Sequence, residues 1–90
     1  MTIYWVNYDL NATGQDYEKL ITYLKSHDSW ANPLKSSFFV KTSLTAAALR
    51  DGIKLHTGSN DNVVVVPVGG HGWATFGASK SVTDWMHANL

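Results

Sequence analysis

Cysteine is absent from this 90-residue sequence, and proline occurs only twice. Without cysteine the chain cannot form a disulfide framework, a thiolate zinc site or a cysteine nucleophile. The longest unbroken apolar run, from Val63 to Val68, is much shorter than the roughly 20 residues of a membrane-spanning helix. We therefore predict a cytoplasmic protein, from a reducing compartment, with no membrane partner.

An excess of charge of either sign is also missing. Seven Lys and Arg residues balance seven Asp and Glu residues. Because attraction for nucleic acid depends on neutralising phosphates, this balance argues against a broad nucleic-acid-coating role, although nucleic acid stays a possible partner. The start of the chain, Met1 to Val6, lacks the basic stretch and long apolar stretch of an export signal, so we expect none.

Large apolar side chains, by contrast, are plentiful. Hydrophobic residues make up 44% of the sequence and include four Trp, four Tyr and three Phe. Each buried aromatic ring removes about 150–250 Å² from water, so a chain of this length can build a core without covalent cross-links. We expect a single domain over residues 1–90.

Hydrophobic periodicity divides the chain into four strands and three helices. Alternation of period two predicts strands, and apolar residues at i, i+3, i+4 and i+7 predict helices. The predicted strands are 2–9, 29–35, 36–42 and 63–68, and 29–35 is expected to be short and irregular because Asn32-Pro33 favours a turn. The predicted helices run from Thr13 to 26–28, from Leu44 to Leu55 and from Ser81 to Leu90. This order predicts an α+β fold, a ferredoxin-like βαββαβ sandwich with an additional C-terminal helix.

Local signals add detail to these elements. Capping residues predict helix starts at Thr13, Ser43 and Ser81, and Gly52 is a weak point within the second helix. The first strand is apolar on both faces and belongs in the middle of a sheet, whereas Val63 to Val68 resembles a buried strand.

Aromatic residues also predict how the remaining parts are held. Trp73 and Phe76 should pin the glycine-rich segment Gly69 to Ala78. With two helices on one face of the sheet, the opposite face would expose Trp5 or Phe39. Either the last helix or a second copy of the chain must cover that face.

Asp9, at the end of the first strand, is the first candidate for chemistry. A carboxylate at a strand end can coordinate magnesium, which takes one or two carboxylates together with waters and substrate phosphates. Two copies of Asp9 facing each other across a two-fold dimer would complete such a site. The alternative is that Asp9 only accepts hydrogen bonds from the turn at Asn11 to Gly14.

Other candidates have less support. The four histidines are too scattered for a zinc site, although His71 lies in the glycine-rich loop and could transfer protons. Ser37 has no His and Asp partners near it in sequence, so a hydrolase triad is not predicted. A modest basic strip and the aromatic side chains Trp30, Phe39 and Trp73 could contact bases, but core packing explains these aromatics better.

Four segments of the sequence together resemble a known family. They are Val6-Asn7-Tyr8-Asp9-Leu10-Asn11, Gly14-Gln15-Asp16-Tyr17, Ser36-Ser37-Phe38-Phe39-Val40 and Ser43-Leu44-Thr45. The pattern resembles the Cas-two-type small ferredoxin-like proteins, a group that includes the small subunit of CRISPR adaptation and the virulence-associated D toxins. The resemblance covers nearly the whole chain.

The resemblance implies a homodimer with a metal site. Asp9 matches the family's candidate metal ligand, which is paired across the dimer, and Ser37 matches a serine in the following strand region. Asp9 and Ser37 are therefore the expected catalytic residues, Asp9 is the expected ligand of Mg²⁺, and no other cofactor is expected. The function that follows is a magnesium-dependent endonuclease acting on RNA or DNA, and the alternative is a non-catalytic dimeric interaction or regulatory module of the same fold.

Overall fold

The computed structural model describes residues 1–11 and 17–90, which form a four-stranded antiparallel sheet and three helices. This confirms the predicted α+β class. In chain order the elements are β1 (Thr2–Asp9), α1 (Glu18–Lys25), β2 (Ser29–Leu34), β3 (Ser37–Thr42), α2 (Ala46–Lys54), β4 (Asn62–Val68) and α3 (Lys80–Asn89).

Strand β1 lies inside the sheet, as its two apolar faces predicted. The spatial order is β2-β3-β1-β4, and every neighbouring pair is antiparallel. Trp5, for example, lies between Phe39 of β3 and Val66 of β4. Because side chains alternate along a strand, these three residues share one face of the sheet. We call it the α3 face, after the helix that covers part of it.

The other face of the sheet carries the larger core and packs against α1 and α2. Its buried strand residues are Tyr4, Val6, Tyr8, Phe38 and Val40, and the helices contribute Leu20, Leu24, Leu49 and Ile53. The Tyr4 hydroxyl donates to the carbonyl oxygen of Leu44 at 2.8 Å, which ties the central strand to the segment leading into α2. Helices α1 and α2 therefore cover the apolar side chains of this face.

On the α3 face, stacked aromatic rings hold the last helix to the sheet. Trp85 of α3 stacks on Phe39 with 5.6 Å between ring centroids, and Phe39 meets Trp5 edge-on at 4.4 Å. The Trp85 indole Nε1 also donates to the Ser29 hydroxyl oxygen at 2.7 Å. The last helix thus covers Phe39. The sequence predicted that either this helix or a second copy of the chain would cover this face.

Strand β4 differs from its prediction. It was expected to be buried, but it lies at the edge of the sheet, and Val64 and Val66 on the α3 face are 58% and 44% exposed. The reason is topological, because β4 pairs only with β1, and α3 covers the part of this face formed by β2 and β3, at the far edge from β4. An apolar strand sequence cannot distinguish a central strand from an edge strand that is apolar on both faces.

The backbone of β4 also has a definite outward side. The Tyr8 amide donates to the Ser36 carbonyl at 3.0 Å, so the even-numbered residues of β1 direct their backbone groups to β3 and the odd-numbered ones to β4. The residues of β4 opposite the even ones, Val63, Val65 and Pro67, therefore turn their backbone groups toward the free edge. Pro67 has no amide hydrogen to leave unpaired there.

The helix starts required two corrections. Helix α2 is capped by Thr45, whose hydroxyl accepts from the Ala48 amide at 3.1 Å, rather than by Ser43. Helix α3 is capped by Ser79, whose hydroxyl accepts from the Val82 amide at 3.3 Å, rather than by Ser81. In both cases more than one hydroxyl residue lies close to the helix start, and the sequence alone does not decide which one has the extended backbone of a cap.

Other local predictions had mixed outcomes. Helix α1 ends at Lys25 with Ser26 as its C-cap, one residue before the predicted end at 26–28, whereas the predicted start at Thr13 lies outside the described residues. The irregular second strand is confirmed by a register shift between Ala31 and Leu34. None of the helices within residues 1–11 and 17–90 combines the length and the hydropathy required to cross a membrane.

Candidate functional site

The Asp9 carboxylate lies on the α3 face, at the end of the central strand that α3 does not cover. Asp9 is exposed and pairs across the ladder with Asn62 of β4. Within the part of the chain that the structure describes, no hydrogen bond or ion pair engages its side chain. The carboxylate is therefore free to bind a ligand.

A different acid performs the turn-closing role that was the alternative for Asp9. Asp61 accepts hydrogen bonds from the Asn11 amide at 2.6 Å, the Gly58 amide at 2.8 Å and the Tyr17 hydroxyl at 2.9 Å. These bonds join the segment after β1 to the loop before β4. Sequence reasoning missed Asp61 because its partners Asn11 and Tyr17 are more than 40 residues away along the chain.

Ser37, the second predicted site residue, lies at the start of β3 on the same face as Asp9. It is 1% exposed, and its hydroxyl oxygen has no hydrogen-bond partner among the described residues. Its backbone carbonyl accepts from the Asn32 side-chain amide at 2.7 Å, which fixes the strand but leaves the hydroxyl unpaired. A buried polar group without a partner costs about 1–3 kcal/mol, so this hydroxyl is an unusual feature.

The structure brings the two predicted residues together. Asp9 and Ser37 both line a shallow depression of about 310 Å³. The other lining residues are Asn7, Tyr8, Leu34, Ser36, Asn62, Val63 and Val64. Asp9 is the only charged residue in this set, and the neighbouring side chains add amide and hydroxyl oxygens.

The donor set fits a hard cation. Magnesium and calcium bind carboxylate, amide carbonyl and hydroxyl oxygens, and the depression offers these and no nitrogen or sulfur ligand of the histidine or cysteine type. Tyr8 does not compete for a cation, because its ring lies in the core on the other face of the sheet, where burial raises the pKa of its hydroxyl. Asp9 is the one side chain here that can bring negative charge to a cation.

The remaining titratable candidates do not join this site. Across residues 1–11 and 17–90, no three His, Cys, Asp or Glu side chains come close enough together to hold a metal ion. His71 is exposed and lines a separate cavity beneath the glycine-rich loop. The predicted proton-transfer role of His71 therefore has no carboxylate partner among the described residues that line this cavity.

The separate cavity has a volume of about 520 Å³ and apolar walls that include Trp5, Phe39 and Met86. Trp73 pins the glycine-rich loop as predicted, because its ring lies 4.8 Å from that of His87 on α3. Phe76, which was expected to do the same, is instead fully exposed at the cavity rim.

Leu34 connects the two concave regions, since it lines both the depression with Asp9 and the larger apolar cavity.

Comparison with known proteins does not extend this picture: no family model, no curated protein and no solved structure matches the chain. The resemblance to the Cas-two-type group stays a prediction, and the site must be interpreted from its own geometry.

Proposed function

We propose that this protein is a homodimeric, magnesium-dependent phosphodiesterase that cleaves RNA or DNA, with Asp9 as the metal ligand of its active site. The observation that carries the proposal is that two polar side chains in one depression lack hydrogen-bond partners among the described residues. Asp9 has a free carboxylate because Asp61 closes the adjacent turn, and Ser37 holds a buried hydroxyl that no described residue pairs. An exposed, unpaired carboxylate in a concave site is typical of a ligand-binding position, and the buried hydroxyl beside it has a hydrogen bond that the described residues do not satisfy.

The chain topology supports the ferredoxin-like part of this proposal. Up to β4 the chain order is strand, helix, strand, strand, helix, strand. In the sheet, β3 lies between β1 and β2, and β1 lies between β3 and β4. Each helix thus connects two strands that have a third strand between them, which is the split βαβ arrangement of ferredoxin-like folds. Helix α3 is the additional element.

A cation is needed because Asp9 alone would repel a phosphate. No Lys or Arg lines the depression, so the described side chains there offer no positive charge to a phosphodiester. Asp9 and the oxygen atoms around it would hold the ion, and a second copy of Asp9 would add the other carboxylate that magnesium commonly takes. When bound, magnesium supplies charge for the phosphate oxygens and lowers the pKa of a coordinated water.

The direct test is the change Asp9→Asn, which removes the charge and keeps the shape. We expect cleavage of a labelled oligonucleotide in magnesium to fall by on the order of 10²-fold or more, because Asp9 is the only charged residue among the described residues that line the depression. Asp28→Asn is the matched control, since Asp28 is also exposed but does not line the depression. Unchanged cleavage by the Asp9→Asn protein, with normal folding, would contradict the proposal.

A second candidate function is a non-catalytic dimeric interaction module. The observation in its favour is the apolar cavity with the exposed Phe76, together with a net charge of zero. This candidate predicts no cleavage by the unmodified protein and no oligonucleotide binding to lose as salt rises, whereas binding to phosphates weakens steeply with salt. Salt-dependent binding together with cleavage would rule it out.

A further inference from the structure

Four exposed apolar side chains lie around the two concave regions of the α3 face. Phe76 is fully exposed, and Leu34, Val64 and Val66 are 61%, 58% and 44% exposed. Leu34 and Phe76 line the apolar cavity, Val64 lines the depression with Asp9, and Val66 is the ladder partner of Trp5. We call this surface the open face. Exposed apolar side chains grouped on one face of a protein are typical of an interaction site.

The open face contains both a projection and a hollow. Phe76 projects into solvent on a loop in which Gly70 and Gly77 adopt positive φ angles of 75° and 77°. Beside it lies the cavity of about 520 Å³, walled by Trp5, Phe39 and other apolar groups. The ring is fully exposed, so it does not fill the cavity of its own chain. A surface that carries both a projection and a hollow can pair with a copy of itself about a two-fold axis, as an isologous interface requires.

We propose that a second copy of this chain covers the open face, and that each Phe76 inserts into the cavity of the partner about a two-fold axis. The proposal rests on the homodimer of the proposed function and names the surface through which that dimer forms. It does not depend on catalysis. Because Asp9 lies on the same sheet face, this mode of association directs both copies of the acid toward the interface side of the molecule.

Charge favours a protein partner of this kind over a nucleic acid. Among the described residues that line the cavity and the depression there is no Lys or Arg, and the only acidic side chain is Asp9. A phosphate backbone would find no cation on these walls. A second copy brings a chain whose net charge is zero, so long-range repulsion does not oppose it.

The apolar area is also of the right order. A buried Phe removes about 150–250 Å² from water, so two copies of Phe76 supply roughly 300–500 Å². Leu34, Val64 and Val66 on both chains add to this, toward the approximately 1,200 Å² at which stable interfaces begin. Phe76 is the largest of these side chains and lies next to the hollow, which is where binding energy concentrates in an interface.

The first experiment measures molecular mass by light scattering during gel filtration, over a range of concentrations. We expect the unmodified protein to have the mass of two 9.9 kDa chains and the Phe76→Ser protein that of one. Leu55→Ser is the matched control, because Leu55 is 82% exposed but lies at the end of α2, away from the open face. It should remain a dimer.

A second experiment keeps the proposal testable if Phe76→Ser misfolds. The chain has no cysteine, so chains carrying Leu34→Cys or Thr75→Cys can be mixed and oxidised. Both positions line the cavity. If Phe76 of one copy inserts into the cavity of the other, residue 75 of the first copy lies near residue 34 of the second, and oxidation should give a disulfide-linked pair containing one chain of each type. A Leu55→Cys chain mixed with either should give no such product. Circular dichroism of each variant checks that the fold is retained.

The outcomes separate this proposal from the proposed function. The open-face dimer is overturned if the unmodified protein is monomeric. It is also overturned if the dimer persists in the Phe76→Ser protein and no mixed disulfide forms. Binding of another molecule to the open face would not restore it. A dimer that dissociates on Phe76→Ser supports it, even if no oligonucleotide is cleaved. Loss of cleavage on Asp9→Asn in a protein that is monomeric would leave the site at Asp9 and remove only the dimer.

Discussion

Gly52 shows how one residue without a side chain determines the packing of two helices. It lies within α2, where glycine costs roughly 1 kcal/mol relative to alanine. A Cβ atom at this position would overlap the hydroxyl group and ring of Tyr23 on α1. The weak point that the sequence indicated is therefore the place where α1 and α2 approach each other.

Substitution at this position should have a sign that depends on Tyr23. In the natural chain we expect Gly52→Ala to destabilise the fold by roughly 1–3 kcal/mol, because the Tyr23 ring must leave its position. In a Tyr23→Ala background the same change should stabilise by up to about 1 kcal/mol, through helix propensity alone. Urea unfolding of the four proteins measures both values. Equal effects in the two backgrounds would show that the approach of Tyr23 does not limit position 52.

The candidate site was only partly accessible to sequence reasoning. Asp9 was singled out because it ends a strand, and its freedom from local hydrogen bonds became visible only when Asp61 was found in the turn. The burial of Ser37 and its proximity to Asp9 depend on the pairing of β1 with β3, which no local pattern encodes. Phe76 was expected to pin its loop, and no local feature of the sequence indicates that it points to solvent.

At the level of elements, periodicity predicted all four strands and the three helices because each has a distinct apolar pattern. The same alternation of period two separates Phe38 and Val40, on one face of β3, from Phe39 on the other. The environment of β4 was not predictable, since its run of valines suits a central strand equally well. Helix starts failed where several hydroxyl residues compete for one cap position.

Cap assignment in α2 can be tested directly. Thr45→Ala should lower the free energy of unfolding by about 1 kcal/mol, because the Ala48 amide loses the hydroxyl that accepts its hydrogen bond. Ser43→Ala should change it by less than about 0.5 kcal/mol, as is usual for surface changes away from specific contacts. Chemical denaturation of the two variants provides the comparison. A larger loss for Ser43→Ala would return the cap to the residue that the sequence first indicated.

For the whole molecule, the decrease in the free energy of unfolding at acidic pH should depend on His27. Burial lowers the pKa of this imidazole below its ordinary value of 6.5, and its Nε2 atom has no hydrogen-bond partner among the described residues. The unfolded chain therefore takes up the proton at a higher pH than the folded chain does. Stability from this residue is fully present above pH 6.5 and decreases as the pH falls below that value.

Thermal unfolding between about pH 7.5 and about pH 5.5 measures this effect. The midpoint should fall with pH in the natural chain and fall less in a His27→Gln variant. His71→Gln is the matched control, because His71 is exposed and its loss should leave the slope unchanged. If His27→Gln kept the full slope, the acid sensitivity would have to come from other groups.

The outward side of β4 sets a limit on growth by strand addition. Edge strands with free backbone groups attract further strands and start fibrous aggregation. Here only Val63 and Val65 offer amide hydrogens to a newcomer, and Pro67 offers none. A strand that adds to this edge meets a proline after two donors, so the ladder stays short. Replacing Pro67 with valine would supply a third donor in an all-valine run and make this protein prone to form fibrils.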